Sequence, residues 1–486
     1  MVLAVTPLAE AGSVADSIRA AIATNPDVGV VKADRHAVDQ ELRQARAGYL
    51  PSIDVRAAAG PEYSDNVTSR DDDRDSDDTL LRREAQIQLT QMVWDGNEVG
   101  SEVERQAARA SSASYRVEEA SEFVGLNAVQ AHLDYLRNQE IMRLAEGNVG
   151  AHRRILQQVQ TLERGGGGDI ADVRQTEARI AQAEASLATA QNDFADAAAT
   201  YQRVVGADPD NLTAEDPPVW ALPQDRDSAA ATASTNSPTV QIAASDVDVA
   251  GAELRGTRAN YYPRVDVELT GTAAKDVDGE KGNDSQASAL LVLRYNLFRG
   301  GADIAREREA FHRVNESRAG LERARRRAEE EARFSYNALE AARARTVAQR
   351  ARAEAQRRTR DAYAQQFEIG QRDLLDVLDA ENELFLSRIA LVTAEYNERF
   401  ATYRVLAVTG TLLETLDIPP PREAVDIYRT SADVQTPEAV EQKTRPLLDP
   451  RAEARPLRGT EAGEPPPESP DLSTLAPVPA PRPTAG

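Results

Sequence analysis

Hydrophobic and polar positions follow two periods along the chain, in alternating blocks. From Val14 to about Gly48 apolar residues recur with helical spacing. Pro51 ends that pattern, because proline cannot donate a backbone hydrogen bond and disfavours helix in the residue before it. The period then drops to two. Ile53, Val55 and Ala57 share one face, and Ser52, Asp54 and Arg56 the other. A second alternating run sets Ile87, Leu89 and Val93 against Gln86, Gln88 and Thr90. From Asn97 to about Leu162 helix formers prevail and no proline interrupts. The blocks then recur. Val265, Val267 and Leu269 oppose Arg264, Asp266 and Glu268; Leu291, Leu293, Tyr295 and Leu297 form one face of a further strand; a second uninterrupted helical run follows from Ala302 to about Gln366. The pattern predicts strands over about 51–60, 82–94, 263–273 and 286–298. It also predicts two long helices, each roughly 100 Å at about 1.5 Å per residue. Shorter helices over about 14–48 and 170–205 together match one long helix in length.

The recurrence is an internal duplication. QARAGYLPSIDV (Gln44 to Val55) matches GTRANYYPRVDV (Gly256 to Val267) at an offset of 212, which also sets Asn25-Pro26 on Ser237-Pro238. Further on, LTQMVWDGN (Leu89 to Asn97) matches LRYNLFRGG (Leu293 to Gly301) at an offset of 204. That offset pairs Asp169 with Asp373, Asp172 with Asp376 and Gly206 with Gly410. The change of eight falls within one acidic loop, 61–80 against 273–284. Pro51 and Pro263 mark equivalent helix–strand junctions. Trp94 and Phe298 occupy equivalent strand ends, as interfacial aromatics or as packing at the strand-to-helix corner.

Strands with one apolar and one polar face suit a half-buried soluble sheet, or a barrel with lipid outside and water inside. No stretch approaches the roughly 18 apolar residues that a membrane helix needs. Apolar positions on the helices are mostly alanine, with Ala108, Ala110, Ala128, Ala131 and Leu133 typical. A soluble coiled coil usually puts leucine or isoleucine at its seam. A wall of helices one layer thick needs less apolar area.

Composition narrows the chemistry. The net charge of −23 over 486 residues argues against nucleic acid as a partner, because phosphate binding needs a basic surface. Cysteine is absent, which excludes disulfides and thiolate metal sites. His36, His132, His152 and His312 lack metal-ligand spacing. DVDGEKGND (Asp276 to Asp284) lacks the ligand spacing and terminal glutamate of a calcium loop. The glycines at 165–168 are not followed by the lysine of a phosphate loop. The sequence predicts no cofactor, no metal and no enzyme.

The candidate chemistry lies in FEIGQRDLLDVLDAENE (Phe367 to Glu383), the turn between two antiparallel helices. Gly370 suits the left-handed end of one helix and Asp373 the cap of the next. Asp376 and Asp379, three apart, share a helix face. In the first half Gly168 and Asp169 occupy the equivalent tip, with Asp172 but without equivalents of Arg372 and Asp379.

The duplicated helix–strand–strand–long helix–helix unit, the ARAGYLP and RANYYPR junctions and GQRDLLDVLDAENELF (Gly370 to Phe385) together resemble the TolC family of outer-membrane channels, over about residues 13–415. The resemblance implies an α plus membrane-β fold. Each chain of a homotrimer gives four strands to one shared twelve-stranded β-barrel, and its helices to an α-helical barrel across the periplasm of a Gram-negative bacterium. It implies as partners outer-membrane lipid, a periplasmic adaptor and an inner-membrane ABC transporter or proton-driven pump. It implies a pore constriction at Asp376 and Asp379, and a tip latch of Arg372 with Asp172, near Phe367 where some members carry a tyrosine. The last motif is most similar to members serving type I protein secretion; multidrug efflux is the alternative within the family, and a soluble periplasmic coiled-coil scaffold the alternative outside it. The chain then divides into a signal-peptide remnant at 1–12 with an A-x-A site at Ala9–Ala11, a first repeat at 13–206 (tip about 163–170), a linker at 207–238, a second repeat at 239–415 (tip about 367–373) and a proline-rich acidic tail at 416–486, disordered from about Thr430.

Overall fold

A computed structural model describes residues 12–64 and 79–428. The signal-like start, the acidic run at 70–78 and the tail beyond 428 lie outside the described residues. All described residues belong to one unit.

The first repeat runs α1 (Val14–Thr24), α2 (Pro26–Ala47), β1 (Ser52–Glu62), β2 (Leu80–Trp94), α3 (Glu98–Arg164) and α4 (Ile170–Val205). The second runs α5 (Arg226–Asn236), α6 (Pro238–Thr257), β3 (Arg264–Lys275), β4 (Asn283–Arg294), α7 (Ala302–Glu368) and α8 (Leu374–Val408), and a short α9 (Leu412–Thr415) follows. The long helices α3 and α7 are each 67 residues.

Three expectations change. The helix expected over 14–48 breaks at Asn25, whose side chain accepts from the Asp27 amide while Pro26 takes the first helical position. Its twin break is Ser237-Pro238, so α5 lies inside the stretch read as linker and is the counterpart of α1. Finally, β4 ends at Arg294 rather than 298. Tyr295, Leu297 and Phe298 lie beyond the strand, and Phe298 is exposed. Trp94 does end its strand, with its ring edge-on to Tyr262 at 5.7 Å.

At that corner the chain turns sharply into α3. Gly96 has φ +69, and a Cβ there would lie 2.9 Å from Tyr262 Cβ and 3.0 Å from the Ala259 carbonyl. Only glycine fits both demands. Asp95 fixes the turn by accepting from the amides of Asn97 (2.9 Å) and Val99 (2.7 Å).

The four strands form one antiparallel sheet in the order β1-β2-β3-β4. Its register fixes how the faces of the two repeats are set against each other. Ile53 faces Leu89, Val55 faces Ile87, Leu89 faces Leu269, Val267 faces Leu291 and Val265 faces Leu293. Directly opposed residues share a face, so both repeats present their apolar side to the same side of the sheet. The other side carries Asp54, Gln86, Gln88, Thr90, Asp266, Glu268 and Thr270. The apolar face has no cover from the described residues: Val55 is 74% and Leu291 71% exposed. The outer edges of β1 and β4 have no strand partner among the described residues. At the helical end of the polar face, Asp266 is buried, accepting from Arg264 (3.1 Å) and Arg294 (2.8 Å).

The helices form a single layer. Nearer the sheet α3 packs between α2 and α6, and α6 against α7; farther away α3 packs between α4 and α8, and α8 against α7. Alanine fills most of these seams, including Ala110, Ala113, Ala145, Ala183, Ala190, Ala353 and Ala394. Large buried side chains gather instead in a girdle halfway along, where Ile18, Val28, Leu133, Tyr201, Tyr403, Leu406, Leu412 and Ile418 meet. The girdle also holds a buried polar chain. Ser17 Oγ lies 2.8 Å from His132 Nδ1 and 2.9 Å from the Tyr201 hydroxyl, and His132 Nε2 lies 3.0 Å from the Thr213 carbonyl. A neutral ring protonated on Nε2 satisfies every contact: it donates to Thr213, and Ser17 donates to Nδ1. Nearby, Glu122 accepts from the Leu413 amide at 3.3 Å. Residues 416–428, read as the start of the tail, pack back on the helices: Ile418 is buried, Asp426 accepts from Ser111 (3.0 Å), and Tyr428 donates to Asp39 (3.1 Å).

Two buried groups give opposite pH dependences. Burial pulls the His132 ring below its ordinary value. Its contribution to stability is therefore present above the unfolded value of about 6.5 and is lost as pH falls below it. Burial pushes the Glu122 carboxyl up to about 8. Its contribution is present below the ordinary glutamate value of about 4.3 and is lost as pH rises toward 8. The apparent melting temperature of Glu122→Gln, followed by helical circular dichroism, is expected to decline less than wild type between pH 5 and 8. That of His132→Gln is expected to decline less between pH 7 and 5.5. Wild-type slopes in both variants would refute the assignment.

Candidate functional site

Both repeats end, farthest from the sheet, in a helical hairpin tip. The two turns share one backbone design. In the first, the Gly167 amide donates to the Leu162 carbonyl at 2.9 Å and Gly166 has φ +77. In the second, the Gln371 amide donates to the Gln366 carbonyl at 2.9 Å and Gly370 has φ +72. A bond back over five residues with a left-handed glycine closes a helix C-terminus in both. Gly370 takes the place expected of it. Gly168 does not; the turning glycine of the first tip is Gly166. Gly168 answers a different demand, since a Cβ there would lie 3.0 Å from the Glu163 amide nitrogen.

The caps differ too. Asp169 accepts from the Ala171 amide at 3.1 Å and caps α4. Asp373 has the extended backbone of a cap, but its side chain makes no capping hydrogen bond.

Four apolar residues from both hairpins meet behind the turns: Val159 of α3, Val173 of α4, and Leu374 and Leu378 of α8. Phe367, Ile155 and Leu156 pack against them. Phe367 thus serves the packing of the tip. One turn earlier a different aromatic meets the arginine of the tip. The Arg372 guanidinium lies 4.0 Å from the centre of the Tyr363 ring. It also donates to Gln366 (3.2 Å) and Asp376 (3.2 Å). Within one chain, then, Arg372 is held by its own hairpin and does not pair with Asp172. The Asp172 carbonyl accepts from Thr176 at 2.8 Å in the first turn of α4.

Asp379 is engaged from the other hairpin. Arg179 of α4 donates to it at 2.6 Å. Sequence reasoning missed Arg179 and Tyr363. Arg179 lies seven residues after Asp172, on the same face of α4, but the repeat aligns Asp379 with Gln175 and so drew attention away from it. The junction prolines stand immediately before β1 and β3, at Pro51 and Pro263. Among the described residues no group of three or more His, Asp or Glu side chains is placed to hold a metal ion. No described helix is long and apolar enough to cross a membrane.

A family profile described as outer membrane efflux protein matches residues 17–207 and 230–411. The chain is 28% identical to outer membrane efflux protein BepC of Brucella suis, over 67% of this chain and 72% of that one. It is 26% identical to alkaline protease secretion protein AprF of Pseudomonas aeruginosa, over 82% and 84%. The crystal structure of the outer membrane protein VceC of Vibrio cholerae superposes with a TM-score of 0.66 at 16% identity, covering 84% of this chain and 97% of that one.

The apolar cluster is expected to set the rigidity of the tips. Leu378→Ala removes a fully buried side chain at a cost of about 2–5 kcal/mol. It should raise amide hydrogen exchange around both 165–175 and 367–376. Leu375→Ala, at a half-exposed neighbour, should leave exchange at the first tip unchanged. Equal effects of the two would remove the cluster from this role.

Proposed function

The chain belongs to the outer membrane efflux protein family, and from that premise we propose that it is the exit duct for type I protein secretion. It is an outer-membrane channel, not an enzyme. In the proposed assembly three copies close one barrel and one helical tunnel. A periplasmic adaptor and an inner-membrane ABC transporter open the tips and supply the energy.

The observation that carries this reading is the sheet. Among the described residues, four strands with an uncovered apolar face and two open edges cannot stand alone in lipid, because unpaired backbone groups there cost several kcal/mol each. Joining β4 of one copy to β1 of the next removes both edges. It also continues the apolar face outward to lipid and the polar face inward to water. Protein cargo is favoured by the relative named for alkaline protease secretion, which aligns over more of the chain than BepC does. The second reading, small-molecule efflux through a proton-driven pump, is favoured by the name and higher identity of BepC.

At the tips we assign Asp376 and Asp379 to the pore constriction, where threefold symmetry makes two carboxylate rings that attract cations. Arg372 and Asp172 we assign to contacts between copies. Asp172 lies in the first turn of α4, an outer helix of the layer, where a neighbouring copy would approach.

Detergent extraction is expected to yield a heat-modifiable trimer that conducts ions in planar bilayers; a soluble monomer would refute the channel. Arg372→Glu should raise conductance, and joint replacement of Asp376 and Asp379 by alanine should reduce the preference for cations. Deleting the gene should remove a protein from the culture medium. Unchanged secretion with new drug sensitivity would instead establish small-molecule efflux.

A further inference from the structure

We infer that Arg179 ties the two hairpins of each protomer together at the tip and sets the charge of the constriction, through its pair with Asp379. This inference rests on the channel reading above.

The two arginines of the tip do different work. Arg372 and Asp376 are four residues apart on one side of the same turn, so their pair braces the second hairpin and leaves its relation to the first untouched. Arg179 and Asp379 are on α4 and α8, one from each hairpin. Theirs is the ion pair that must break if the hairpins separate. Neighbouring arginines are engaged elsewhere: Arg174 with Glu177 (2.9 Å), Arg352 with Glu383 (3.7 Å), and Arg360 with Asp361 (3.1 Å) and Glu381 (3.4 Å). Arg179 has a second, longer contact, 3.5 Å to Gln182 on its own helix.

The pair is also weak, and that suits a gate. Arg179 is 27% and Asp379 54% exposed, so water and salt screen their attraction. The apolar cluster beside it holds the tip in register, while the ion pair can be exchanged for another partner. A docking protein that offers its own charge to either residue competes directly with the tie.

Charge bookkeeping gives the second consequence. In each chain two carboxylates at the constriction, Asp376 and Asp379, face two guanidinium groups, Arg372 and Arg179. The tip is therefore close to neutral in these four groups. Removing Arg179 both frees the hairpin and unmasks Asp379.

The test uses the purified full-length protein in planar bilayers, under a potassium chloride gradient centred near 0.1 M. Arg179→Ala is expected to raise single-channel conductance by about twofold or more and to raise the cation-over-anion permeability ratio. Arg179→Asp should raise both further. Combining Arg179→Asp with Asp379→Arg should bring conductance back toward wild type, and each variant should keep the oligomeric state of the wild type on gels. A purely structural role would change conductance without changing the permeability ratio. Wild-type conductance and selectivity in Arg179→Ala, or no restoration by the charge exchange, would overturn the inference alone. A wild type that forms no channel would overturn the reading beneath it.

Discussion

An uncovered sheet is the constraint on which the rest depends. Among the described residues, hydrogen-bonding groups along β1 and β4 point outward with no strand to meet them, beside a face of valine, leucine and isoleucine left bare. In water such a surface invites aggregation, and in lipid its edges are prohibitively unsatisfied. The proposed assembly, a closed ring of identical sheets, satisfies both. Closing the ring fixes the helices as well, because each strand pair is flanked by helices that must continue the circle. A single-layer wall follows, and such a wall has little interior to bury. Alanine seams are the result. Close approach replaces bulk, and the larger side chains concentrate in one girdle halfway along.

That girdle gives the chain most of its conventional core. Tyrosines, leucines and isoleucines from both repeats meet there, with the linker and the segment after α8 wrapped around them. One histidine tautomer there satisfies Ser17, Tyr201 and Thr213 together. Among the described residues the hairpins beyond it are joined to each other by two small apolar clusters, one around Ala145, Ala190 and Phe385 and one at the tip, and by a half-exposed ion pair. Rigidity is thus unevenly distributed. The middle is fixed by burial, and the tips are held by contacts that another protein can replace.

Much of this was legible in the sequence for physical reasons. Period-two alternation located the strands because each has one face toward apolar surroundings. The 204-residue offset located both tips because the two long helices have one length. What failed was local. Asn25-Pro26 breaks a helix whose apolar spacing continues across the break, so periodicity alone did not show it. Tyr295 and Leu297 kept the alternation after β4 had ended, because the pairing that defines the strand stops at Arg294. At the tips the repeat led to the backbone of the turns but not to the side-chain partners within one chain. Arg372 turns back on Tyr363 and Asp376, and Asp379 meets Arg179. Such side-chain partners depend on how two hairpins face each other across space, which a linear motif does not encode.

The equal length of α3 and α7 also acts as a ruler. Both start at the sheet and both must finish at the same level for Arg179 to meet Asp379. One extra residue in either helix would lift everything beyond it by about 1.5 Å and turn it by about 100°. The two repeats differ by eight residues in the loop between their strands, at the end of the sheet where no such match is required. Insertions in this architecture are therefore free at one pole. At the other they are tolerated only when made in step, in both helices and by whole turns.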